Sequence, residues 1–366
     1  MVRRMLKVIA GRPIVHSLSG GYDSRYVACS FRRYGVEKIA CYTYGREGSF
    51  EIPYSKRVAE ALGYEWHCVD YTNEKSSTSE EYNRYTLQHD CFPYLQNYIA
   101  VNELKDNGLI PEGAVMMTGL CNDMPSGFYV PSVKEVEGYP FTLDGVARYL
   151  VDYRFPRDFV HRRLNRDPIR KAEHDSFFAE IREYITSLGL EVHDYQSFIR
   201  VLDCVTTGFE HARHFLHMNE IHDFFGYEWV LPCWNRELLK FWYSLPVEFK
   251  LKQNLYEEYV THTLGEQFGL TMKKVGSRTE KPRFTVAGKL IGRLKIFLQR
   301  LLYPLGIVVV NDLNNHGLRR VQLYKRIKQK EALKSGLTSI NLFAAVYAME
   351  QRYGTKWFER IRKALI

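Results

Sequence analysis

The stretch Ser19-Gly20-Gly21-Tyr22-Asp23-Ser24 has the residue types of an anion-holding turn. Two adjacent glycines lack Cβ atoms and tolerate positive φ, so the backbone can come close to a phosphate. The N–H groups opening a following helix, with its dipole, favour negative charge at that point. Ser17, Ser19 and Ser24 add hydroxyl donors. Asp23 beside phosphates is explained by a bridging divalent cation, and Mg²⁺ is the expected one. No GxxxxGK[ST] stretch occurs, so this is not a Walker A loop.

The elements that must position this turn are readable around it. Pro13 to Leu18 is a short apolar strand, and residues 24–34 have a helical pattern that stops at Gly35. Lys38 to Tyr44 reads as a second strand. Pro53 suits the first turn of a helix that runs to Leu62 and closes at Gly63. Glu65 to Tyr71 is a third strand, residues 79–107 are a long helical region, and Ala114 to Thr118 is a fourth, apolar strand. Strand–helix–strand units of this length predict an α/β fold, a parallel twisted sheet with helices on both faces. From about Leu143 the patterns are helical. The division this suggests is a nucleotide-binding α/β core over 1–140 and a mostly helical part over 141–366.

Bulk properties exclude several classes. The chain has 366 residues, 45% of them hydrophobic and 25% charged, as in an ordinary globular protein. The most apolar run, Ile296 to Val310, is interrupted by Gln299, Arg300, Pro304 and Gly306, so no membrane span is expected. The basic start is broken by Gly11-Arg12-Pro13 before an apolar stretch develops, which argues against a signal peptide and for a cytoplasmic protein. The seven cysteines form no CxxC pair and most lie in apolar stretches, which predicts reduced, buried thiols. The net charge is +9, and residues 291–340 alone carry ten Lys/Arg against two acids. This is either a solvated helix face or a site for an anionic partner such as RNA.

The sequence from Ser19 to Ser24 resembles the SGGxDS signature of the PP-loop ATP pyrophosphatase superfamily, whose adenine nucleotide alpha hydrolase-like fold matches the expected sheet. The resemblance implies cleavage of ATP between its α- and β-phosphates and an adenylated intermediate. Three further segments resemble asparagine synthases. They are Glu51 to His67, Thr118-Gly119-Leu120-Cys121-Asn122-Asp123-Met124, and Leu231-Pro232-Cys233-Trp234-Asn235 with Ser244 to Lys250. The chain is thus similar to the asparagine synthetase C-terminal domain, of the divergent sort associated with surface polysaccharide gene sets.

What this implies is an ATP-dependent ligase that activates a small carboxylate as an acyl-adenylate for aminolysis by ammonia or an amine. It also implies residue roles. Ser17, Ser19, Gly20, Gly21, Asp23 and Ser24 would hold pyrophosphate, Thr43 and Tyr44 the adenine, and Thr118 and Gly119 the nucleoside. Asp23 would serve the metal, and Asp123 would act catalytically on the metal or the substrate side. Among Lys273, Lys274 and Lys281, Lys281 is the expected stabiliser of developing charge. The polar cluster Glu210 to His214, with His217 and Asn219, reads either as a polar face lining the cleft, with Arg213 placed to meet a substrate carboxylate or phosphate, or as a structural ion-pair network.

Departures from the family pattern bear on the chemistry. Leu120 stands where the family has the glutamate that takes a proton from the amine, and Met124 replaces a second acid. The chain reaches the phosphate loop almost at once, so a glutaminase half is expected to be absent and a separate glutaminase or free ammonia to supply nitrogen. Two other readings stand beside the ligase: a PP-loop enzyme acting on tRNA through residues 291–340, and a nucleotide-binding protein without turnover.

Overall fold

The computed structural model describes residues 1–45, 49, 51–71, 79–88, 95–154, 168–272 and 354. The N-terminal part is a five-stranded, fully parallel sheet in the order β3-β2-β1-β4-β5. The strands are β1 (Ile14–Ser17), β2 (Ala40–Gly45), β3 (Glu65–Asp70), β4 (Val115–Thr118) and β5 (Glu228–Val230). Successive strands run outward from β1 in one direction and then in the other. The reversal lies between β1 and β4, and such a switch point opens a crevice outside the carboxyl ends of the two strands.

Helices cover both faces, as expected. On one face lie α1 (Val2–Ile9), α2 (Tyr22–Arg33) and α3 (Glu51–Leu62), packed through Ile9, Val27, Phe31 and Val58 onto Ile14, Cys41 and Val115. The other face carries α4 (Glu80–Gln88) and α5 (Leu95–Asp106), which bury Tyr85, Tyr98 and Val101 against Val15, Tyr42 and Met116. The strand side chains therefore alternate between two apolar layers, which is why these segments read as nearly continuous hydrophobic runs.

Beyond β4 the chain is helical. The segments α6 (Val133–Val136), α7 (Leu143–Tyr149), α8 (Pro168–Ser187) and α9 (Tyr195–Thr206) share a third core built on Val146, Leu150, Ile181, Phe198 and Val205. Asp194 caps α9 by accepting from the Ser197 N–H at 2.7 Å. A wide-turn π stretch, Thr207–Phe215, follows, then α10 (Glu220–Phe224), α11 (Arg236–Ser244), α12 (Val247–Lys250) and α13 (Asn254–Glu258). No helix among the described residues is long and apolar enough to cross a membrane.

The four expected strands and their helices are found within about two residues of their sequence-read ends. Two elements are additional. Helix α1 occupies the basic start of the chain, and β5 is a three-residue strand, Glu228–Val230. The expected helical region 79–107 contains two helices, α4 and α5.

Candidate functional site

The turn after β1 is closed by its own serines. The Ser24 hydroxyl accepts from the Ser19 N–H at 3.1 Å and lies 3.1 Å from the Ser19 hydroxyl, which accepts from the Gly21 N–H at 3.2 Å. Gly21 is the N-cap of α2 at φ −77° and ψ 168°, and neither glycine of the pair has positive φ. The expected left-handed freedom is not used. What Gly21 supplies is space, because an added Cβ would stand 3.3 Å from the Ser19 hydroxyl oxygen.

Beneath the turn, the buried ring of His16 joins the two strands flanking the crevice to α2. Its nitrogens lie 3.0 Å from the carbonyl oxygens of Met117 and Ser24. Burial pushes the His16 pKa below its usual value. Gly119, just past β4, lies against the first turn of α2. A Cβ there would come within 2.4 Å of the Ser24 Cα and 2.5 Å of its nitrogen, so the strand end and the helix can meet only at a glycine.

The carboxylate of Asp23 ties this arrangement together. One oxygen accepts from the backbone N–H groups of Asn122 and Asp123 at 3.0 and 3.1 Å. The other accepts from the Tyr256 hydroxyl at 2.8 Å. Asn122 also accepts from the Trp242 indole at 3.0 Å, and Asp123 from the Gln253 amide at 3.0 Å. The loop after β4 is thus clamped between α2 and the late helices. The clamp holds Cys121 at φ 79°, a conformation uncommon outside glycine.

A cleft of ≈ 300 Å³ opens over the carboxyl ends of β1, β2 and β4, at the switch point. Ser17, Ser19, Gly21, Asp23 and Ser24 line it on the α2 side. Thr43 and Tyr44 line it at the end of β2, and Thr118, Gly119, Leu120 and Asp123 at the end of β4. Gly20 lies in the same turn. The structure therefore brings the residues read from the phosphate loop and the two strand ends into one cavity, with the volume of a small-molecule site.

Two other expected residues fall wholly or in part outside the described residues. Arg213 belongs to the π stretch Thr207–Phe215, and its side chain lies outside the described residues. Lys281, with Lys273, Lys274 and the basic region 291–340, also lies outside them.

Of the wall opposite α2, Asn219 alone belongs to a cluster read from the sequence. The wall is made by Asn97 from α5 and by Met218, Asn219 and His222 around the start of α10. Asn219 accepts from the Thr118 hydroxyl at 3.1 Å, and Asn97 from the Tyr44 hydroxyl at 3.0 Å. Tyr44 in turn stacks on Tyr71, with ring centres 5.2 Å apart. Glu51, at the start of α3, completes the rim, and burial raises its pKa.

The carboxylates beside the Ser19–Ser24 turn would suit a nucleotide-bound divalent cation. Mg²⁺ in nucleotide sites takes one or two carboxylates and draws its remaining ligands from phosphate and water, and Asp23 and Asp123 both line the cleft. No group of three or more His, Cys, Asp or Glu suited to a metal is found among the described residues. A cation at this end would therefore depend on the nucleotide for most of its ligands.

No curated protein sequence matches the chain. The family model described as asparagine synthase matches residues 2–81, a segment that runs from α1 through the phosphate loop to the start of α4. Over that segment the chain is similar to the asparagine synthases.

Proposed function

We propose that the protein is an ATP-dependent ligase that activates a small carboxylic acid as an acyl-adenylate and passes the acyl group to ammonia or an amine. The observation that carries this reading is the placement of the Ser19–Ser24 turn at the β1/β4 switch point. There it shares one cleft with the ends of β2 and β4.

In this reading the turn and the first N–H groups of α2 hold the β- and γ-phosphates. Thr43, Tyr44, Thr118 and Gly119 contact the nucleoside. The acid's carboxylate attacks the α-phosphorus, the α–β bridging bond breaks, and pyrophosphate leaves. The nitrogen nucleophile then attacks the acyl carbon and AMP departs. Mg²⁺, held by Asp23 and Asp123, would neutralise charge on the departing pyrophosphate. Lys281 and Arg213 are proposed to meet developing or substrate negative charge.

Leu120 lines the cleft where the family resemblance places a proton-accepting glutamate, and leucine cannot accept a proton. The nucleophile must therefore lose its proton to another group or to solvent. This supports an acceptor other than that of ordinary asparagine synthesis. It also favours one second reading, a protein that binds ATP without turning it over.

The deciding experiment incubates the full chain with ATP, Mg²⁺ and a panel of carboxylic acids labelled with ¹⁸O in the carboxyl group. Acid-dependent release of pyrophosphate, with ¹⁸O appearing in AMP, is the expected result. Tight ATP binding with no pyrophosphate release across the panel would favour the second reading.

A further inference from the structure

His222 begins from an unusual position for a polar residue. It lies in α10, three residues beyond Asn219, whose side chain accepts a hydrogen bond from Thr118 at the end of β4. Residues three apart share a helix face, so the imidazole sits over the same strand end and lines the cleft. The residue is 2% exposed, and its Nδ1 is sealed from solvent with no hydrogen-bond partner. Native proteins keep few such atoms, and each calls for a reason.

The ring's protonation follows from that burial. A neutral imidazole carries its proton on either nitrogen. With the proton on Nδ1, the structure would bury an N–H that has no acceptor. With the proton on Nε2, it buries a bare lone pair. The orphaned N–H is the rarer and costlier of the two. The ring therefore keeps its proton on Nε2, the nitrogen left to meet a molecule in the cleft, and offers a donor there.

Two roles compete for such a group. One is accepting the amine's proton in place of the glutamate that Leu120 lacks. Burial lowers the His222 pKa to about 3, so the ring stays neutral at working pH and is too weak a base for that task. The other is hydrogen bonding to an uncharged part of a ligand. The phosphates belong to the α2 side of the cleft, whereas His222 stands on the opposite wall with Asn97, Asn219 and Tyr44.

We infer that His222 donates a hydrogen bond from Nε2 to an acceptor atom on the nucleoside half of bound ATP, a ribose hydroxyl oxygen or a purine ring nitrogen. This rests on the proposed use of ATP and adds to it the residue that reads the nucleoside.

The test compares binding of ATP, 2′-deoxy-ATP, 3′-deoxy-ATP, 3-deaza-ATP and 7-deaza-ATP to the full chain and to its H222F and H222Q variants. The wild type is expected to lose about tenfold in affinity for one analogue, the equivalent of one hydrogen bond. H222F should bind ATP and that analogue equally, and H222Q, which retains an N–H donor, should recover part of the difference. The analogue that behaves this way identifies sugar or base as the partner. Thermal melting of each variant, with H222Q as the conservative control, separates a lost contact from a lost fold. Nitrogen-15 shifts of the ring should place the proton on Nε2 from pH 5 to 8.

An H222F variant that discriminates every analogue as the wild type does would overturn the assignment. So would a ring that titrates between pH 6 and 7, or a variant that loses affinity for the acid alone. If the wild type binds no ATP, the nucleotide reading itself fails and takes this contact with it.

Discussion

The hydroxyl of Tyr256 donates a 2.8 Å hydrogen bond to the carboxylate of Asp23, joining the first turn of α2 to a residue 233 positions later in the chain. The carboxylate's other oxygen holds the N–H groups of Asn122 and Asp123. Asp23 therefore has a structural task as well as its proposed part in metal binding. Tyr256→Phe removes one hydrogen bond to a charged group at a fully buried ring, an expected cost of about 1.5–3 kcal/mol in urea unfolding. Asp23→Asn should cost at least as much, because the amide cannot present acceptors on both sides. If Asp23 acted on the metal alone, D23N would abolish pyrophosphate release and leave the unfolding midpoint unchanged.

Gly119→Ala tests the contact between β4 and α2. The added methyl would meet backbone atoms of Ser24, which cannot rotate away as a flexible side chain could. The strand end and the helix must separate, and the Ser19–Ser24 hydroxyl contacts lie at the point of separation. Loss of ATP binding by at least tenfold is expected, together with destabilisation of about 1–3 kcal/mol as for other overpacked sites. Gly138→Ala is the control, since a Cβ there meets nothing within 4 Å.

The sheet and its phosphate turn were legible because their signals are local. Short apolar runs ending at glycine marked β1, β2 and β4, partial alternation marked β3, and the turn's six residues are contiguous. The β5 strand escaped because three residues, Glu228 to Val230, carry too little alternation to register. Helix α1 escaped because its arginines resemble a targeting segment more than a packed helix. Most of the opposite wall of the cleft was invisible for a different reason. Asn97 and His222 reach the site from helices far along the chain, and no spacing rule connects them to Ser19, whereas Asn219 belongs to a polar cluster that the sequence does show. Leu120 was legible as a departure, and it does line the cleft.

The thiols offer a test of burial. Cys29, Cys41, Cys121 and Cys233 are free and buried, and burial pushes each thiol pKa up, to about 12 for Cys29. Cys68 is free and exposed, and Cys204 is half-buried. Cys91 lies outside the described residues. With the native protein at pH 8, site-resolved alkylation by mass spectrometry should label Cys68 well before the four buried thiols. Those four should react only as the protein unfolds. Rapid native labelling of Cys121 would mean that the clamped loop after β4 opens.

The ion pair between Lys250 and Asp203 gives a prediction about pH. Both side chains are almost wholly buried, at 3% and 6% exposure, and the Lys250 ammonium donates to the Asp203 carboxylate. Burial raises the Asp203 pKa to about 6, with Lys250 opposing the rise without cancelling it. The unfolded chain releases this proton near pH 4. Between about pH 4 and 6 the native state therefore holds more protons than the unfolded state. This group's contribution to stability is fully present below pH 4 and is lost as pH rises to 6. Asp203→Asn should flatten that part of the stability–pH curve. At pH 7 it should cost about 3–5 kcal/mol, because it leaves the Lys250 charge buried without a counter-ion. The double variant D203N/K250M should recover most of the loss, since no buried charge then remains. Equal stability of D203N and wild type at pH 7 would mean that the Lys250 ammonium reaches water, and the pair would then be a surface contact of little energetic weight.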